Sequence, residues 1–209
     1  MARDISPKCK QCRREGMKLF LKGDRCSSPK CAMVKRNYPP GIHGPKGKPR
    51  LTGYAQQLRE KQKLKKVYGI LEKQLRIYFD KCIKQKGDTG EKLLKILEMR
   101  LDNLVYRTGF APSRTMARQL VNHGHFLVNN KKVTIPSYQV RQGDVISLKK
   151  GSYDFEPFKN IRKKLENEKG VDWVEPNPNE LSAKVIAYPA KDDISQPFDV
   201  KMVVEFYSR

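Results

Sequence analysis

The chain of 209 residues is long enough for one large domain or two small ones, yet only 38% of it is hydrophobic, against roughly 45–50% in ordinary globular chains. It carries 44 Lys and Arg against 22 Asp and Glu, a net charge of +22 that runs +11, +7, +6 and −2 through residues 1–50, 51–100, 101–150 and 151–209. Self-repulsion on this scale calls for a polyanionic partner, with nucleic acid ahead of an anionic membrane because no basic amphipathic anchor stands out. The apolar runs are too short for a membrane helix, and no apolar stretch follows the first charged residues, so no secretory signal is expected.

The first element in chain order is a cysteine set, Cys9-x2-Cys12-x13-Cys26-x4-Cys31. Two short-spaced pairs across a loop suit a tetrahedral metal ion, because a two-residue gap lets one turn offer two thiolates. Lys8, Lys10, Arg13, Arg14, Arg25 and Lys30 would lower the thiol pKa values and offset the charge of the filled site. Disulfides fit poorly in a chain without a secretion signal, so zinc is expected, with an iron–sulfur cluster as the rarer occupant. With four protein ligands, such a site is structural. Residues 38–50 then read Tyr-Pro-Pro-Gly-Ile-His-Gly-Pro-Lys-Gly-Lys-Pro-Arg, too rich in Pro, Gly and Lys to form a core. They predict an extended arm that needs metal, RNA or both to hold a shape.

From Tyr54 the pattern turns helical. Leu64, Val67, Tyr68, Leu71, Leu75, Tyr78 and Cys82 recur at helical spacing, with Gly69 marking a break and Lys61, Lys63, Lys65 and Lys66 clustered before it. Cys82 reads as a small buried apolar residue. A second helix is predicted from Asp88 or Thr89, through Leu93, Leu94, Leu97, Leu101, Leu104 and Val105, to Gly109. A third runs from its N-cap Ser113 to Gly124. Arg114, Arg118, Asn122, Thr115 and Gln119 fall within an arc of about 140° on it, opposite Met116, Ala117, Leu120 and Val121. Phe126–Val128, a turn at 129–132 and Val133–Ile135 read as a hairpin, and Gly143-Asp144 turns into a strand at Val145–Leu148.

Ser113-Arg114-Thr115-Met116-Ala117-Arg118-Gln119-Leu120-Val121, then Gly124-His125-Phe126-Leu127-Val128-Asn129 and Gly143-Asp144, resemble the RNA-binding domain named after ribosomal protein S-four. Arg13-Arg14-Glu15-Gly16, Pro40-Gly41-Ile42-His43-Gly44, Gln57 to Lys63, Leu101 to Arg107 and Glu205-Phe206-Tyr207-Ser208-Arg209 extend the resemblance to the bacterial ribosomal protein family itself, in its zinc-bearing, four-cysteine variant. The span around 150–200 matches least. The resemblance implies a primary binding protein of the small-subunit (16S) rRNA 5′ domain, acting at a multi-helix junction. It further implies a role in nucleating assembly, an interface with ribosomal protein S-five that affects decoding accuracy, and a place in the small subunit in the cytoplasm. Matching positions put Lys46, Lys48 and Arg50 near the path of incoming mRNA.

The expected architecture is α+β. A zinc-anchored extended arm spans 1–50, a helical domain 51–98, a small α/β RNA-binding domain 99–165, and C-terminal strands with a tail packing back on the body 166–209. RNA contacts are expected from Arg3, Lys8, Arg13 and Arg14 in the arm and from Tyr54, Gln57, Arg59, Lys61 and Lys63 in the helical domain. In the RNA-binding domain they are expected from Arg114, Arg118, Gln119, His123, His125, Asn129 and Lys131. Double-stranded RNA hides its base edges in a narrow groove, so such residues read phosphates, shape and 2′-hydroxyls. Two other readings are weaker. Arg100-Leu101-Asp102 resembles the catalytic segment of pseudouridine synthases, but it precedes the domain with too little chain after it, and Asp102 reads as a helix-surface aspartate. A zinc-containing DNA regulator would place a recognition helix directly after its ligands, where Pro-rich coil stands here. Gly44-Pro45-Lys46-Gly47-Lys48 lacks the spacing of a phosphate loop, and His43, His123 and His125 have no nucleophile or carboxylate set beside them.

Overall fold

A computed structural model of the chain describes residues 4–47, 50–159, 165, 170–190, 193, 194 and 196–209. Its helices are α1 (Lys8–Glu15), α2 (Asp24–Ser27), α3 (Ala32–Lys35), α4 (Gly53–Tyr68), α5 (Glu72–Ile83), α6 (Thr89–Glu98), α7 (Leu101–Arg107), α8 (Arg114–Asn122) and α9 (Val200–Tyr207). The strands are β1 (Phe126–Val128), β2 (Lys131–Lys132), β3 (Val145–Leu148), β4 (Val174–Asn177) and β5 (Ser182–Val185). Two compact units result, Met1–Leu93 with Ser195–Arg209, and Leu94–Ile194.

In the first unit, the segment expected to be an extended arm folds locally. α1 ends at Gly16 in a left-handed turn, and α2 and α3 follow as single turns. Long-range contacts supply the order that the sequence pattern lacks. Arg13 donates to the Tyr38 and Pro39 carbonyls at 2.9 and 3.2 Å, and its guanidinium lies 4.7 Å from the Tyr38 ring centroid. Gly44 packs so tightly that a β-carbon there would stand 1.9 Å from the Pro39 carbonyl oxygen.

The Thr52 hydroxyl caps α4 by accepting the Ala55 N–H at 3.3 Å, and Gly69, at φ 62°, ends it where the break was expected. Leu64, Val67, Tyr68, Leu75, Tyr78, Phe79 and Cys82 are all buried, so the apolar stripe forms this unit's core. α9 closes the core across α4. Val203 is fully buried, and the Tyr207 ring lies 4.8 Å from that of Phe79.

The second unit packs the end of α6, α7 and α8 with a five-stranded antiparallel sheet in the order β2-β1-β3-β5-β4. The single helix expected between residues 88 and 109 is broken. Arg100 is extended and bridges to Gln139, while the Tyr138 carbonyl accepts the Leu101 N–H at 2.9 Å, so α7 starts afresh. The Ser113 hydroxyl accepts the Met116 N–H at 3.3 Å as the cap of α8. The hairpin turns tighter than expected. Asn129 and Asn130 alone form the turn, at φ 49° and 63°, and Lys131–Lys132 pairs in place of Val133–Ile135. Asn tolerates the left-handed region that a two-residue hairpin turn demands. β4 and β5 come from the part of the chain where the family resemblance is weakest.

Candidate nucleic-acid interface

Beneath α8 lies a buried polar network. The Asp102 carboxylate accepts from Arg100 Nε at 3.0 Å and Nη2 at 2.6 Å, and Arg118 Nη1 lies 3.7 Å from its Oδ2. Asp102 is therefore not a helix-surface aspartate. It is buried between two guanidinium groups, committed to structure. Beside it, buried Glu98 accepts from Asn103 at 2.6 Å and from Arg107 at 2.8 and 2.9 Å. Asn103 Oδ1 in turn accepts from Arg114 Nε at 2.7 Å, and the Arg114 guanidinium sits 4.5 Å from the Tyr106 ring centroid. Both arginines of the α8 polar face are thus oriented from behind by α7, which lowers the entropy lost when they engage an anion.

Around them, Gln119, His123 and Lys131 are exposed. Asn129 is engaged within the fold. Its amide donates to Asp144 at 2.8 Å and accepts from the Val145 N–H at 2.9 Å, closing the hairpin on β3. His125 is half-buried, with Nδ1 2.9 Å from the Ser152 hydroxyl and its ring stacked on Phe155. Burial, then the positive charges of His123, Lys149 and Lys132, lower its pKa from the ordinary value. Sequence reasoning missed Ser152 and Phe155. The available signal was two large aromatics, Phe155 and Phe158, in a short Lys-flanked loop.

In the first unit several expected contacts are employed internally. Lys61 is buried, 2.8 Å from Glu72, with its ammonium 4.5 Å from the Phe206 ring centroid. Burial alone would raise the Glu72 carboxyl, but hydrogen bonds from Lys61, Tyr207 and Lys65 outweigh it and hold the pKa at about 2. Lys63 pairs with Glu60 at 2.6 Å, Gln57 donates to Glu205 at 2.8 Å, and Arg59 shares Glu15 with Lys66. Lys8 donates to the Asp4 carbonyl at 2.7 Å. Tyr54 is exposed, with its ring 5.7 Å from that of Phe206. Arg14, Lys46 and Arg50 are exposed, whereas Arg3 and Lys48 lie outside the described residues.

Cys9, Cys12, Cys26 and Cys31 line one small cavity with Leu21, Arg25 and Met33, and all four are free thiols. The Lys22 N–H donates to Cys26 Sγ at 3.4 Å. Burial, helped by the three neighbouring thiols, raises the Cys12 pKa. Among the described residues, no three His, Cys, Asp or Glu side chains are already arranged as a metal-binding group. Nor, among those residues, is any helix long and apolar enough to cross a membrane.

Residues 3–98 match the family described as "Ribosomal protein S4/S9 N-terminal domain", and residues 99–146 match the "S4 domain". The chain is 55% identical to the small ribosomal subunit protein uS4A of Clostridium novyi over 210 residues. It is 54% identical to uS4 of Fervidobacterium nodosum over 213 residues and 53% identical to uS4 of Caldicellulosiruptor saccharolyticus over 209. Each match covers 100% of both chains. A buried network aiming two arginines from an S4-type helix, on a chain related to these proteins from end to end, leaves one assignment: the chain belongs to the ribosomal protein uS4 family.

Proposed function

We propose that this chain is a structural constituent of the small ribosomal subunit, located with it in the cytoplasm, and a primary binding protein of 16S rRNA without enzymatic activity. The full-length relationship to small-subunit proteins carries this reading. The geometry supports the RNA-binding part, because buried Asp102 and Asn103 hold Arg118 and Arg114 on the polar face of α8. The rRNA 5′ domain is the target, bound early enough to nucleate assembly. Contact with ribosomal protein S-five is the route to decoding accuracy. Replacing Arg118 with Ala tests the core of the reading. Affinity for a folded 5′-domain rRNA should fall, and the slope of log K against log salt should flatten by about one phosphate's worth. Unchanged affinity and slope would refute it.

The finer parts rest on the same reading. Residues 1–50 act as a basic arm, 51–98 as a helical domain, 99–165 as the RNA-binding domain, and 166–209 as strands and a tail. Cys9, Cys12, Cys26 and Cys31 would hold a structural zinc ion; the soft four-thiol donor set and the shared cavity fit one. Zinc would cross-link the arm and offer no open position to a substrate. Metal analysis of reduced protein checks this, and less than about half an equivalent of zinc would overturn it. Lys46, Lys48 and Arg50 attract incoming mRNA through their positive charge. Neutralising all three should spare rRNA binding and slow passage of structured messages through assembled subunits.

A further inference from the structure

The loop after β3 presents an aromatic step that no part of the fold requires to be open. Phe158 is buried and packs edge-on against both His125 and Phe126, at 5.6 and 6.0 Å between centroids, which anchors the loop. Phe155, three residues earlier, lies parallel to the His125 ring, with centroids 5.0 Å apart and planes at 12°. Yet Phe155 remains 45% exposed, although a side chain of this size gains from leaving water.

The surroundings are as specific as the step. Ser152, itself buried, engages His125 Nδ1 at 2.9 Å, and no described residue engages Nε2. Exposed Lys149 and Lys150 begin the loop, and the Lys149 N–H donates to the His125 carbonyl at 2.8 Å. The Lys132 ammonium lies 3.0 Å from where a β-carbon on Gly124 would stand. An open aromatic face, a ring nitrogen available for a hydrogen bond, and lysines close by are together what a single unpaired nucleotide needs. The base stacks, the ring nitrogen meets a base edge or 2′-hydroxyl, and the lysines meet the flanking phosphates. A duplex offers no free base face and would leave the aromatic step unused.

We propose that Phe155 and His125 form a stacking site for one unpaired nucleobase of the bound RNA, with Lys132, Lys149 and Lys150 on its flanking phosphates. The site rests on the rRNA-binding reading above and goes beyond it by naming an extruded base as a ligand.

The test uses the full-length protein and a folded 5′-domain rRNA fragment. Phe155→Ala should weaken binding by about 5- to 150-fold, the usual range for one lost base–aromatic stack. Its salt slope should stay unchanged, because no cation is removed. Phe155→Leu, which keeps apolar cover over His125, should show most of the same loss, and Phe155→Trp should retain affinity. Chemical probing should find one unpaired nucleotide protected by wild type and reactive with Phe155→Ala. Thermal melts of both variants separate these effects from misfolding, with Phe155→Leu as the variant that stays folded if Phe155→Ala does not. Wild-type affinity and footprint for Phe155→Leu would overturn the stacking site alone. Failure of the wild-type protein to bind the fragment would overturn the rRNA reading and this site with it.

Discussion

Replacing Asp102 with Ala removes the carboxylate that both Arg100 and Arg118 address. Arg100 has two hydrogen bonds to it, at 2.6 and 3.0 Å, and its side chain is only 1% exposed, so water cannot replace the lost partner. Removing one member of a buried ion pair costs about 3–5 kcal/mol, because the remaining charge keeps its desolvation penalty. For a chain of this size each kcal/mol lowers Tm by about 2–4 °C, which gives a fall of about 6–20 °C. A urea titration and a thermal melt read it directly. Two further measurements make the reasoning specific. Arg100→Met combined with Asp102→Leu should recover part of the loss, since it removes the buried Arg100 charge and leaves only Arg118, 12% exposed, against the new apolar side chain. In Asp102→Ala, rRNA affinity should fall while the salt slope persists, because Arg118 keeps its charge and loses only its orientation. A loss below about 1 kcal/mol, or a double variant no more stable than Asp102→Ala, would refute the account.

Glu72 makes stability acid-sensitive at the C-terminal helix. Its carboxyl is held at about 2, below its usual 4.5, so the contribution is present above pH 4.5 and lost as pH falls towards 2. Glu72→Gln should therefore lower stability at neutral pH and flatten the pH 4.5–2 limb in denaturant melts; an unchanged limb would count against the Lys61–Glu72–Tyr207 latch. Cys82 is fully buried, and that burial pushes its thiol up to about 11, so at pH 8 it should resist alkylation until the chain unfolds. Rapid labelling of folded protein at Cys82 by mass spectrometry would contradict its burial. Gly124→Ala should destabilise by about 1 kcal/mol, given φ 74° and a β-carbon 2.3 Å from Lys132 Cε. An unchanged melting point would show that the turn relaxes without strain.

The features legible in the sequence are those decided by neighbours within one or two helical turns. The cap at Ser113, the amphipathic division of α8, the stop at Gly124, the break at Gly69 and the burial of Cys82 all follow from local spacing. So did the drift of charge from strongly basic to slightly acidic along the chain. The partner of each charge was a different kind of question. Lys61, in a basic cluster, was expected to contact RNA, but Glu72 and the rings of Phe206 and Tyr207 take it out of water. Asp102 looked like a surface aspartate until α8 folded back to bring Arg118 against it. Phe155 had no visible role until the loop laid it on His125, thirty residues earlier. Helical and strand periods report which face of an element is apolar, whereas an ion pair or ring stack depends on distances between residues far apart in the chain. The sequence alone thus determined a basic, S4-type RNA-binding chain with the helices α4, α5 and α8 and their buried stripes. Only the tertiary structure decided which of its cations are spent holding the fold, because desolvation and Coulomb attraction act over a few ångströms of space rather than along the chain.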